Sequence, residues 1–133
     1  MLNIEIASKL DRIPEVESLI DRVSEEMGLN EDSYGNVLIA VTEAVNNAII
    51  HGNKYSDTKK VRVEVKKNLE GVVFTVSDEG SGFDYLNLPD PTSPENLEKP
   101  DGRGIFLMKN LSDGVVFESG GSKVSITFAT VNG

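Results

Sequence analysis

The sequence predicts an α+β fold: a two-layer α/β sandwich with a mostly antiparallel mixed sheet and three helices on one face. Three observations lead there. Short segments with strict apolar–polar alternation occur near both ends and in the middle of the chain. Two amphipathic helical stripes follow one another directly near the start, and one more helical segment lies late. Four of the five strands fall in adjacent pairs rather than alternating singly with helices, which favours hairpins over parallel crossover units.

The elements follow in order. Leu2, Ile4 and Ile6 alternate with Asn3 and Glu5, predicting a strand over 2–7. Ile13, Val16, Leu19, Ile20, Val23 and Met27 share one helical stripe, predicting a helix over 13–27. Pro14 sits in its first turn, where proline is tolerated, and Gly28 suits the residue just past its end. Asn30 is a good N-cap for a second helix over about 31–52. Val61, Val63 and Val65 alternate with Arg62, Glu64 and Lys66; 68–71 is a turn, and 72–77 is the return strand. Residues 84–103 form a long polar loop holding Pro89, Pro91, Pro94 and Pro100. A short helix over 104–112 and two strands, 114–119 and 122–130, joined at Gly120-Gly121, complete the chain.

At 133 residues the expectation is a single domain, 1–133. A formal net charge of −9, from 13 Lys+Arg against 22 Asp+Glu, argues against general nucleic-acid binding and against docking on anionic membranes. There is no cysteine and only one histidine, so thiol chemistry and His-rich metal sites are excluded. The chain has no apolar run of membrane-spanning length, and 1–15 lacks a basic-then-apolar signal pattern, so a cytoplasmic location is expected.

Three segments carry candidate chemistry. On the second helix Leu38, Val41, Val45, Ala48 and Ile49 should face the sheet. Glu43 and Asn47 lie one turn apart on the other side, between Ile39 and Ile50 and beside Ala40 and Ala44. Two explanations compete there: a solvated face, or a polar pair in a partly apolar pocket. His51 is explained equally by capping, packing or a place in that pocket. In Ser77–Asp84, strand parity groups Val72, Phe74 and Val76 with Asp78, so the carboxylate points inward and needs a donor. Gly80 and Gly82 then let the chain turn and approach a ligand closely; the alternative is a plain turn with a partly exposed Asp78. In Asp101–Asn110, glycines directly before an apolar helix are either an anion site at a helix N-terminus or a flexible entry into the core. Ser122 shares parity with Val124, Ile126 and Phe128, so Asp78 and Ser122 can reach the same interior.

Taken together, Glu43-x-x-x-Asn47 with His51-Gly52, Asp78-x-Gly80-x-Gly82-Phe83 and Gly102-Arg103-Gly104 resemble, in order and spacing, the three ATP-binding boxes of the GHKL (Bergerat-fold) ATPase superfamily. The stretches TEAVNNAIIHGN and GRGIFLMKNLSD look most like the small anti-sigma factor serine kinases of that superfamily. The resemblance implies ATP and Mg²⁺ as ligands. It implies Glu43 as the general base for an attacking hydroxyl, Asn47 as the Mg²⁺ ligand beside the ATP phosphates, and Asp78 as acceptor from the adenine amine. Gly80 and Gly82 would let the backbone pass the base, and 84–103 would be the ATP lid. Gly102, Arg103, Gly104 and Ile105 would supply N–H groups to the phosphates, with Arg103 pairing with them. Ser122 stands where the family has a threonine near the adenine, and keeps its hydroxyl.

The function implied is an ATP-dependent protein serine/threonine kinase. It would phosphorylate an anti-anti-sigma antagonist, sequester a sigma factor and form a homodimer. The alternatives are an ATP-gated adaptor without kinase activity, and a structural domain that binds no nucleotide. Glu43 favours the kinase, because binding alone needs no base at that position.

Overall fold

The computed structural model describes residues 2–29, 31–80, 100–119 and 122–129, with the backbone alone at 100–103. The proposed N-cap Asn30, Gly82, the Gly120-Gly121 turn and positions 84–99 of the expected lid lie outside them.

Five strands form one sheet: β1 (Leu2–Ala7), β2 (Lys60–Lys67), β3 (Val72–Ser77), β4 (Gly114–Glu118) and β5 (Lys123–Phe128). Their order is β1-β2-β3-β5-β4, and every described pairing is antiparallel. The alternating valines of β2 and β3 put Val61, Val63, Val65, Val72, Phe74 and Val76 on a buried face. Phe74 meets Phe128 edge-on, with ring centroids 5.9 Å apart. At the β2–β3 turn the Asn68 side chain accepts from the backbone N–H groups of Glu70 and Gly71, at 2.8 and 3.1 Å. Gly71 has φ +147° and passes so close to Phe128 that a Cβ would lie 2.2 Å from that carbonyl oxygen.

The helices α1 (Ile13–Met27), α2 (Glu31–Asn47) and α3 (Pro100–Leu111) cover the sheet. A single 3₁₀ turn, Leu10–Arg12, leads into α1. Gly28 closes α1 in the left-handed conformation, φ 71°, and Lys67 donates to the carbonyl of Met27 at the negative end of the helix. Val16, Leu19, Ile20 and Val23 are the buried stripe of α1, as their spacing predicts.

Two features differ from expectation. First, the buried side of α2 is wider than one stripe: Val37, Ala40 and Ala44 are buried with Val41 and Val45, while Leu38 is only half-buried. The cause is α3, which packs along α2 with Gly104 against Glu43 and Asn47. Second, α2 does not run to residue 52 as a regular helix; it gives way to a π-helical turn, Ala48–Gly52. Asn53 N–H closes that turn on the Ala48 carbonyl at 2.8 Å. Lys54 and Tyr55, at φ 51° and 59°, then end the helix. No helix among the described residues is long and apolar enough to cross a membrane.

Candidate functional site

The packing of α3 on α2 turns Glu43 and Asn47 into one site. Asn47 is 8% exposed, and its amide nitrogen is buried without a hydrogen-bond partner among the described residues. Such a group costs about 1–3 kcal/mol unless something satisfies it. A flip of the amide would exchange its oxygen and nitrogen, so either atom can occupy the unpartnered position. Glu43 is half-buried one turn earlier. The backbone of α3 lies directly above the pair. A Cβ on Gly104 would stand 3.1 Å from Glu43 Oε2 and 3.2 Å from Asn47 Nδ2. Glycine at 104 is what allows the helix to approach so near.

That helix begins at Pro100, four residues before the position its apolar pattern predicts. Proline is well placed there, because the first N–H of a helix has no partner anyway. The N–H groups of residues 101 and 102 are therefore free of helical partners, at the positive end of the helix, and that of Arg103 is the first that the helix itself uses. The N–H groups of Gly104 and Ile105 fall in the next turn, where the helix uses them itself. Ile105 is buried in the core with Met108. The backbones of Gly102 and Arg103 are thus at the helix mouth, and the Arg103 side chain is outside the described residues.

Asp78 arrives from the sheet. Its N–H donates to the Ser122 carbonyl at 2.8 Å, extending the β3–β5 ladder by one rung. Asp78 and Ser122 consequently border one pocket together with Ala44, Asn47, Ala48, Val76, Met108, Phe117 and Val124. The space open to water centres is about 10 Å³, enough for one water molecule. Ser122 Oγ donates to the Ser119 carbonyl at 3.0 Å. The Asp78 carboxyl titrates above its ordinary range because burial disfavours the charged form. The Gly80 N–H, 2.8 Å from Oδ1, and the positive charge of Lys59 oppose that rise.

This shift has a stability consequence. A carboxyl whose pKa is raised on folding contributes stability at low pH that is lost as pH rises through the folded value. At neutral pH the ionised Asp78 therefore works against the fold. Asp78→Asn is expected to raise the thermal midpoint at pH 7, with the gain vanishing below about pH 4, the range of an unfolded carboxyl. Thermal melts of both proteins across pH 3–8 check this.

The glycines around Asp78 form the tightest part of the site. A Cβ on Gly52 would lie 2.3 Å from Asp78 Oδ2, and one on Gly80 would lie 1.9 Å from the Gly52 carbonyl oxygen. The Asp78 carboxylate therefore rests on the end of the π-turn, with Gly80 closing over it. Asn53, buried at 2% exposure, holds the same turn from behind. Neither Gly52 nor Asn53 is singled out by periodicity. A glycine inside a helical pattern is the one signal that could have found the contact, since it costs about 1 kcal/mol without a packing reason. Of the sequence-predicted residues, Glu43, Asn47 and Gly104 come together, and Asn47, Asp78 and Ser122 share a pocket. Gly80 joins them through Gly52. His51 is half-buried in the π-turn.

The chain is similar to known proteins over most of its length. The family model described as histidine kinase-like ATPase domain matches residues 6–128. A protein named anti-sigma F factor, from Clostridium beijerinckii, is 29% identical over 132 residues, covering 94% of this chain and 91% of its own. A serine-protein kinase RsbW from Oceanobacillus iheyensis is 22% identical, covering 86% of this chain and 76% of its own. Among solved structures, the RsbU and RsbW domains of Rv1364c from Mycobacterium tuberculosis match with a TM-score of 0.58 at 15% identity. That alignment covers 98% of this chain and 33% of the other. The histidine kinase domain of a blue-light activated kinase from Erythrobacter litoralis matches at 0.55 and 17% identity, covering 91% of this chain and 60% of its own. With the family model matched across nearly the whole chain and the same fold recurring in these structures, the protein belongs to the histidine kinase-like ATPase family of the GHKL type.

Proposed function

We propose that the protein is an ATP-dependent serine/threonine kinase that acts as an anti-sigma regulatory factor. It phosphorylates an anti-anti-sigma antagonist, sequesters a sigma factor and works as a homodimer. The observation that carries the reading is the juxtaposition of Glu43, the orphaned Asn47 amide and the α3 N-terminus across Gly104. A structural domain has no use for a buried unpartnered amide beneath a helix mouth. The relatives named anti-sigma F factor and serine-protein kinase RsbW support the regulatory part.

The donor set fits Mg²⁺-ATP. Among the described residues no three His, Cys, Asp or Glu side chains converge as a metal site. Mg²⁺ suits such a place, because it commonly takes one or two protein oxygens and completes its shell with phosphates and water. Asn47 Oδ1 would be the protein ligand, and the metal would neutralise phosphate charge. The N–H groups of 101 and 102 would receive phosphate oxygens at the positive helix end. Asp78 would accept from the adenine amine through a carboxyl oxygen, and Ser122 would lie beside the base. Glu43 accepts the proton of a serine hydroxyl as that oxygen bonds to the γ-phosphorus and the bond to the β-phosphate oxygen breaks. The proton ends on the Glu43 carboxylate and ADP leaves with the bonding pair. The apolar wall of Ala44, Ala48, Met108 and Val124 would receive the adenine, for which the pocket would have to widen.

Calorimetry tests the binding half. Mg²⁺-ATP is expected to bind the wild type, and Asn47→Ala to weaken it by about tenfold or more, the scale of losing a group that holds a metal. No heat from the wild type with ATP would remove every nucleotide-based reading. A pull-down in ATP and in ADP, followed by mass spectrometry, tests the other half by identifying the partner and any phosphoserine on it.

A further inference from the structure

Asn53 is a fully buried polar side chain whose every bond leads to a different element. Its Nδ2 donates to Ser8 Oγ at 2.9 Å and to the Lys60 carbonyl at 3.0 Å. Its Oδ1 accepts from the Glu79 N–H at 2.8 Å, one residue past Asp78. Ser8, 1% exposed, passes the connection on by donating to the Lys59 carbonyl at 2.6 Å. The backbone N–H of Asn53 meanwhile closes the π-turn that ends in Gly52. One side chain therefore ties the end of β1, the start of β2 and the Asp78 turn to the end of the α2 helix. Buried amides bonded this completely fix geometry, because any displacement leaves several polar atoms unpaired at once.

The turn being fixed is the one that carries base recognition. The Asp78 carboxylate sits against Gly52 with no clearance for a methyl group, so its position follows that of residues 52 and 53. We infer that Asn53 is a positioning residue for base selectivity: by clamping the Glu79 N–H it holds the Asp78 carboxylate where only a purine with a 6-amino donor satisfies it. This rests on the ATP reading above. Asn53 touches no ligand itself; it acts through Asp78. Without it the 78–80 turn keeps the Asp78 N–H bond to the Ser122 carbonyl and the Lys60 N–H bond to the Glu79 carboxylate but loses its tie to the π-turn, so the Asp78 carboxylate loses its alignment while the phosphate end of the site, built from α2 and α3, is unchanged.

The test compares Mg²⁺-ATP with Mg²⁺-inosine triphosphate, which carries a 6-oxo group instead of the amine. Affinities are measured calorimetrically for the full chain as wild type, Asn53→Ala and Ser8→Ala. The wild type is expected to prefer ATP by about tenfold or more, since a hydrogen bond to a charged group is at stake. Asn53→Ala is expected to shrink the ATP-to-inosine ratio by about fivefold or more while inosine triphosphate binds nearly as before. Ser8→Ala removes one of the two Nδ2 acceptors and should lower the ratio by about twofold to threefold. A role confined to stability would weaken both nucleotides together and leave the ratio alone, and that result overturns the inference. Should Asn53→Ala not fold, Ser8→Ala decides on the same ratio. A wild type that binds both nucleotides equally would instead count against the ATP reading.

Discussion

Glu43→Gln is expected to bind Mg²⁺-ATP as the wild type does and to transfer phosphate to serine about 10²–10⁴-fold more slowly, the range a positioned general base supplies. Glutamine keeps the length and shape of glutamate. The packing against Gly104, where a Cβ would come within 3.1 Å of Oε2, is therefore retained. The lost property is the ability to take a proton. A single-turnover assay with the partner protein reads the chemical step, and calorimetry reads binding separately. Slow transfer at unchanged affinity assigns Glu43 to the transition state. Transfer at the wild-type rate would refute the base role and leave an ATP-gated adaptor as the better description. Glutamine is preferred over alanine here, because an alanine would open space beside Asn47 and mix a packing defect into the result.

Much of this site is legible in the sequence, and the reasons are local. Alternation along β3 and β5 places Asp78 and Ser122 on the core side of neighbouring strands, and the Asp78 N–H to Ser122 bond brings them side by side. The helical spacing of Glu43 and Asn47 places them one turn apart. Contacts that join distant segments are different. The Asn53 bonds reach Ser8, 45 residues away, and Glu79, 26 residues away, and no periodic pattern encodes them. The early start of α3 is hidden because Pro100, Gly102 and Gly104 together look like loop. Proline at the first helical position is permitted for a local reason, but the glycine at 104 is explained only once α2 is in place beneath it. Leu38 illustrates the converse. A wheel for one buried face turns it toward the sheet, but α3 adds a second buried face and rotates the optimum toward Val37 and Ala40.

Gly80→Ala is expected to weaken Mg²⁺-ATP about 100-fold. The added methyl would stand 1.9 Å from the Gly52 carbonyl oxygen and 2.5 Å from its carbon. Both are backbone atoms, so no rotamer change relieves the overlap, and the 78–80 turn must lift off the π-turn. Asp78 then loses its Gly80 N–H and its aim at the base, a charged hydrogen bond worth about 1.5–3 kcal/mol, together with part of the base's apolar cover. Gly52→Ala meets the Asp78 carboxylate at 2.3 Å and its carbon at 2.4 Å, which are side-chain atoms. That carboxylate can swing aside, so Gly52→Ala should lose base recognition with a smaller drop in thermal midpoint than Gly80→Ala. Gly35→Ala is the control. Gly35 is exposed within α2 and has nothing within 4 Å of a built Cβ, so alanine there should stabilise the helix by about 0.5–1 kcal/mol and leave ATP affinity unchanged. Calorimetric affinities and thermal midpoints of the three variants separate a site built on glycine contacts from a general intolerance of substitution. Equal ATP binding by Gly80→Ala and Gly35→Ala would mean that the Asp78 turn does not hold the base.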